Sequence, residues 1–94
     1  MPIEWAASAL ADLENIKAYI ANDSGHYALK FVEGMLAAIK RLSDFPKSGR
    51  IVPEIEDGSI REVIYGSYRI VYQIMDAKVA IVAIVHEMRD FKGL

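Results

Sequence analysis

The sequence predicts an α+β domain in the order β-α-α-β-β-β, an antiparallel sheet packed on a helix hairpin. Three observations predict it. Upstream of Pro46-Lys47-Ser48-Gly49, apolar residues recur every three or four positions, the period of a buried helix face. Downstream, they run in short extended blocks separated by Gly66-Ser67 and Asp76-Ala77. The chain has 94 residues, enough for one domain that buries roughly 60–65% of its unfolded surface, and too few for two.

Residues 2–5, Pro-Ile-Glu-Trp, read as a short first strand. A helix over about 7–22 follows, with Leu10, Leu13, Ile16 and Ile20 on one face. Asp12 and Glu14 fall near its start, where carboxylates suit the helix dipole. Asn22-Asp23 ends it, and Ser24 is the N-cap of a second helix over about 25–44. Phe31, Met35, Ile39 and Leu42 form its stripe, with Val32 and Leu36 beside it. So short a link makes the two helices an antiparallel hairpin. Phe45-Pro46 stops the second helix, because the residue before proline is pushed out of helical geometry.

Residues 46–59 read as a loop, and three strands follow over about 60–65, 68–75 and 78–87. The two-residue turns between them make an antiparallel meander. Within 68–75, Tyr68, Ile70, Tyr72 and Ile74 share the face toward the helices; Arg69, Val71 and Gln73 share the other. Val79 to Val85 is apolar at every position, which predicts a strand covered on both faces, with the first strand as a candidate neighbour.

Composition excludes several functions. The chain contains no cysteine, so disulfides and thiolate metal sites are absent, in keeping with a reducing cytosol. The longest apolar run is far shorter than a membrane-spanning helix, and Met1-Pro-Ile-Glu-Trp5 lacks the features of a signal peptide, so a cytoplasmic location is expected. Net charge is −2, unlike the basic balance of most proteins that grip nucleic acid. No phosphate-binding loop, dinucleotide fingerprint, HExxH or nucleophile elbow is present, and no cofactor or metal is expected.

Few residues carry candidate chemistry. Arg69 projects from the sheet face away from the helices, where a solvated arginine is the ordinary expectation. His86 ends the last strand, with Ile84 and Val82 as its alternation partners, and its titration range suits proton transfer. Glu54 follows Pro53 in an acidic loop. Arg50, Arg61, Arg69 and Arg89 make a modest basic set diluted by Glu62, Glu87 and Asp90.

Taken in order, Phe45-Pro46, Gly49-Arg50, Pro53-Glu54, Arg61, Gly66, Tyr68-Arg69-Ile70-Val71-Tyr72 and His86-Glu-Met-Arg89-Asp90-Phe91 resemble the RelE/ParE toxin superfamily of type II toxin–antitoxin systems. The resemblance covers nearly the whole chain. It implies a plasmid-stabilisation type of toxin held inactive by a cognate, ParD-like antitoxin whose C-terminal segment wraps it. Two activities share the superfamily, so fold alone does not choose between them. RelE-like members cut ribosome-bound mRNA, and by resemblance Glu54, Arg69 and His86 would be the base, cation and acid of that cleavage. ParE-like members inhibit DNA gyrase by binding, through its A subunit. The acidic balance, Glu87 and the lack of any tyrosine after Tyr72 favour the ParE-like reading, with the His-x-x-Arg-Asp-Phe ending. Its expected contact residues are Arg61, Arg69, His86, Arg89 and Phe91, the last two within the segment Glu87 to Leu94. A third reading is a family member that only binds an antitoxin.

Overall fold

A computed structural model describes residues 1–88. Strand β1 (Ile3–Trp5) leads into helices α1 (Ala7–Ala21) and α2 (Gly25–Lys40). Two 3-10 turns, Arg41–Ser43 and Pro46–Ser48, precede β2 (Arg50–Ile51), β3 (Ile60–Tyr65), β4 (Tyr68–Ile74) and β5 (Val79–His86). The sheet order is β1-β5-β4-β3-β2. The meander β3-β4-β5 is antiparallel, whereas β1 runs parallel to β5. The sheet is therefore mixed and not purely antiparallel. The helix hairpin between β1 and the meander supplies the crossover that a parallel pair requires.

Local chemistry explains most boundaries. The Ser24 hydroxyl accepts from the Tyr27 amide at 3.1 Å and caps α2 as expected. The α-helix stops at Lys40, short of the expected 44, and its end tightens into the Arg41–Ser43 turn. In the β3–β4 turn Gly66 has φ +58° at the first central position and Ser67 does not, the signature of a type II′ hairpin that closes without splaying the strands. Proline at the start of Pro46–Ser48 sets up a turn, and β2 follows it as a short edge strand inside what the sequence reads as loop. Two residues are too few to show an alternating pattern.

The main core lies between the helices and one sheet face. It contains Leu13, Ile16, Met35, Ile39, Leu42, Ile70, Tyr72, Val79, Ile81 and Ile84. Two expected members differ: Leu10 and Leu36 are exposed, and Ala9 is buried on α1 instead. Asp12 lies past the first turn of α1, so it does not serve the helix dipole; it accepts from the Ile84 amide at 3.0 Å. Ser8 donates to the Val82 carbonyl at 3.0 Å, so α1 covers the edge of β5 beyond the point where β1 ends.

A second, smaller core occupies the opposite sheet face. Val52, Ile55 and Ile60 of the 52–60 segment pack on Val71, Val82, Ala83 and Val85. Both faces of β5 are thus covered, as its unbroken apolar run predicts. A bulge sets the division: Tyr72 pairs with Ile81 but Val71 with Ala83, leaving Val82 unmatched. Val79, Ile81, Ile84 and His86 consequently share the helix face with their partners Ile74, Tyr72, Ile70 and Tyr68. His86 keeps Ile84 as a same-face neighbour but not Val82, because the bulge breaks simple alternation.

Candidate functional site

The expected site residues divide between the two faces of the sheet. Arg69 lies on the outer face, yet it is only 4% exposed, which overturns its reading as a solvated arginine. The 52–60 segment folds over it. Its Nε donates to Glu62 Oε1 at 2.6 Å. Its two terminal nitrogens donate to Glu54 Oε2 and Oε1 at 2.6 and 2.7 Å, a bidentate fork. Glu62 is itself fully buried, and its second oxygen accepts from Arg50 Nε at 2.6 Å. The result is a chain of alternating charge, Arg50–Glu62–Arg69–Glu54, that neutralises itself. The Glu54 fork, opposed by burial and aided by Glu62, holds the Arg69 guanidinium well above its ordinary value, so it stays charged at every accessible pH.

Buried ions require such pairing, because an unpaired charge taken out of water costs several kcal/mol, an order-of-magnitude figure of about 3–5 when one partner is removed. Glu62 alternates to the outer face of β3 and meets Arg69 diagonally across the β3–β4 ladder. Glu54 reaches the same guanidinium because Val52 is buried on the sheet and anchors the segment. An acidic loop in the sequence is here one half of an ion pair. The signal that could have found this is an arginine facing outward on β4 between carboxylates on β3 and in the loop.

His86 sits elsewhere. It pairs with Tyr68 across the β4–β5 ladder, and the two rings meet edge to face with centroids 6.0 Å apart. Arg69 is the next residue after Tyr68 and points the opposite way. Of the three residues an RNA-cleaving site needs, Glu54 and Arg69 come together and His86 does not. Arg61 is half-buried on the helix face of β3; it donates to the Gly58 and Gly49 carbonyls at 3.1 and 3.0 Å and has no carboxylate partner among the described residues. Arg89 and Phe91 lie outside the described residues, as does most of the Glu87–Leu94 segment.

Two surface features escape the sequence reading. Tyr27, Phe31, Tyr65, Tyr68 and His86 form a run of ring contacts at the hairpin end of the sheet. At the other end of α2, a groove of about 210 Å³ is lined by Ala38, Arg41, Leu42, Phe45, Ser48 and Val63. Phe45 is 64% exposed there. Arg41 lines it, Lys47 and Arg61 lie close by, and past Arg50–Ile51 the outer edge of β3 from Val63 to Tyr65 has no strand partner among the described residues. Tyr72 holds this region in place from below: its hydroxyl donates to the Pro46 carbonyl at 2.7 Å and accepts from the Gly49 amide at 3.0 Å. Position 49 admits only glycine without rearrangement, since a Cβ there would lie 2.5 Å from the Tyr72 hydroxyl and 2.6 Å from the Glu62 carbonyl.

The family model described as "ParE toxin of type II toxin-antitoxin system, parDE" matches residues 3–91. The chain belongs to the ParE toxin family of type II toxin–antitoxin systems. No curated protein sequence matches it. Among solved structures, it is similar to a chain of the chromosomal ParDE TA system from P. aeruginosa. The two share 22% identity over 92% of this chain and 95% of that one, with a TM-score of 0.76. At that identity the likeness speaks for the fold. In this ParE-family chain no helix among the described residues is long and apolar enough to cross a membrane. No group of three His, Asp or Glu side chains there is placed to hold a metal ion.

Proposed function

We propose that this ParE-family chain is a cytoplasmic toxin that inhibits DNA gyrase by binding it, through the A subunit, and that a cognate ParD-like antitoxin neutralises it. One observation carries the choice of target. The groups an mRNA endonuclease would need are separated: Arg69 is sheathed and neutralised by Glu54 and Glu62, and His86 stands on the opposite face. Cleavage through a 2′-hydroxyl needs base, acid and cation around one phosphate. A base locked in a bidentate pair and a buried cation do not offer that. The net charge of −2 supports the same reading.

The antitoxin reading rests on family membership and on the α2–β3 flank. Exposed apolar side chains beside unpaired cations suit a partner segment that carries both apolar and acidic residues. The groove at Phe45 and a second one lined by Ile3, Trp5, Leu36 and Ile39 offer apolar seats along α2.

The test runs purified toxin in parallel on gyrase supercoiling and on ribosome-bound mRNA. Loss of supercoiling with intact mRNA is expected. Codon-positioned mRNA cuts with normal supercoiling would overturn the proposal, and neither effect would favour a family member that only binds antitoxin. His86→Ala sharpens the comparison, because His86 is exposed and its loss leaves the core intact. It should weaken gyrase inhibition only in part, since His86 is one of several expected contacts, whereas it would disable a nuclease that uses His86 as its acid. Deleting Glu87 to Leu94 should weaken gyrase inhibition more.

A further inference from the structure

The 52–60 segment is built differently from an ordinary surface loop. Its own backbone supplies many of its bonds: Ile55 and Glu56 amides donate to the Val52 carbonyl, Ile60 to the Asp57 carbonyl, and Ser59 to the Asp57 carboxylate. It is a self-contained turn. Val52 and Ser59–Ile60 tie its two ends to the sheet, through the Val52–Ile60 bond and the Ile74 amide donating to Ser59. Between those ends, the polar connections to the sheet among the described residues are Glu54 on Arg69 and, at the far end of the turn, the Arg61 guanidinium donating to the Gly58 carbonyl at 3.1 Å; the Glu54 fork is the charged one. Beneath lies an apolar patch, with Val71 and Ala83 buried. Glu56 holds φ +59°, a left-handed conformation that a glutamate adopts at a cost.

We infer that the Glu54–Arg69 fork is a latch, holding residues 53–58 as a strap over the outer face of the sheet. Arg69 is then a positioning residue. Glu62 still accepts from Arg69 on the sheet side, so that releasing Glu54 frees the strap without leaving the arginine unpartnered. The strained Glu56 favours release, and the apolar contacts of Val52 and Ile55 oppose it. A local opening of this kind exposes the patch under the strap while the helix-side core stays closed.

The absence of cysteine makes the latch testable by thiol labelling. Ala83→Cys places a thiol under the strap, and Ala38→Cys places one on the helix side, at positions 8% and 5% exposed. Each is labelled in the native chain and with Glu54→Gln added. Losing the charge-assisted fork should speed labelling at the Ala83→Cys thiol by about tenfold or more and leave the Ala38→Cys thiol unchanged. Arg69→Lys, which keeps the charge but loses the fork, should act in the same direction. Unchanged labelling at Ala83→Cys would overturn the latch. So would equal acceleration at both thiols, since that reports global unfolding. If Glu54→Gln fails to fold, Glu54→Asp gives the same comparison with the charge retained.

Discussion

Tyr72 is the side chain on which the helix layer, the sheet and the basic turn all converge. Its ring is fully buried in the main core, and its hydroxyl is satisfied twice, by Pro46 and Gly49. Burial pushes the hydroxyl above its ordinary value of 10.0, with the Gly49 amide and Arg61 pulling the other way. A raised value means the folded state prefers neutral tyrosine. The stability this contributes is complete below about pH 10, the unfolded value, and is lost as pH climbs through the higher folded one. Tyr72→Phe leaves a buried amide and carbonyl short of a partner and should cost about 1–3 kcal/mol at neutral pH. It should also flatten the alkaline loss of stability. Chemical denaturation of both proteins from pH 7 to 11 checks this, and parallel alkaline slopes would refute the assignment. Arg69 teaches the complementary lesson. Alternation along β4 correctly predicts the face its side chain leaves from, while what covers that face depends on a loop that sequence patterning cannot dock.

Among the elements, β5 carries the most information and the most surprises. Its apolar run announces a strand covered twice over, and the structure agrees. The bulge at Val82 is invisible in the run because every residue there is apolar, so nothing marks where the faces exchange. The hairpin turn at Gly66-Ser67 and the Ser24 cap were legible because each depends on local chemistry. The place of β1 beside β5 was legible as well, but the two-residue β2 and the parallel direction of β1 were not, since both are decided by long-range pairing. Asp12 belongs with them: a carboxylate that reads as a dipole partner of α1 instead terminates the open edge of β5 at Ile84. Asp12→Ala should therefore destabilise by about 1–3 kcal/mol, the cost of a partly buried amide without a partner. In a domain of this size that is roughly 4–8 °C in Tm per kcal/mol. Hydrogen exchange should quicken first at the Ile84 amide; exchange that quickens first at the N-terminus of α1 would restore the dipole reading.

For the molecule as a whole, the distribution of charge matters more than its sum. The chain carries a net −2, yet Arg41 and Lys47 stand against Asp44 alone in the stretch before the Glu62-paired Arg50, and Arg61 donates to the carbonyls within it. A cationic flank on an acidic protein creates a local field that guides an acidic partner and does little for an indifferent one. Exposed charges act chiefly on the encounter, whereas buried contacts set how long the complex lasts. If the antitoxin's acidic segment meets this flank, raising salt should slow association and leave dissociation nearly constant. Lys47→Glu combined with Arg41→Glu should lower the association rate by about tenfold at low salt, within the range that electrostatic steering supplies. Phe45→Ala should leave association alone and shorten the complex's lifetime, because its exposed ring offers apolar contact area and carries no charge to steer with. Surface-plasmon or stopped-flow measurement over a salt series separates these effects. Association rates that ignore both salt and the charge reversal would place the antitoxin's acidic segment on another face of the molecule.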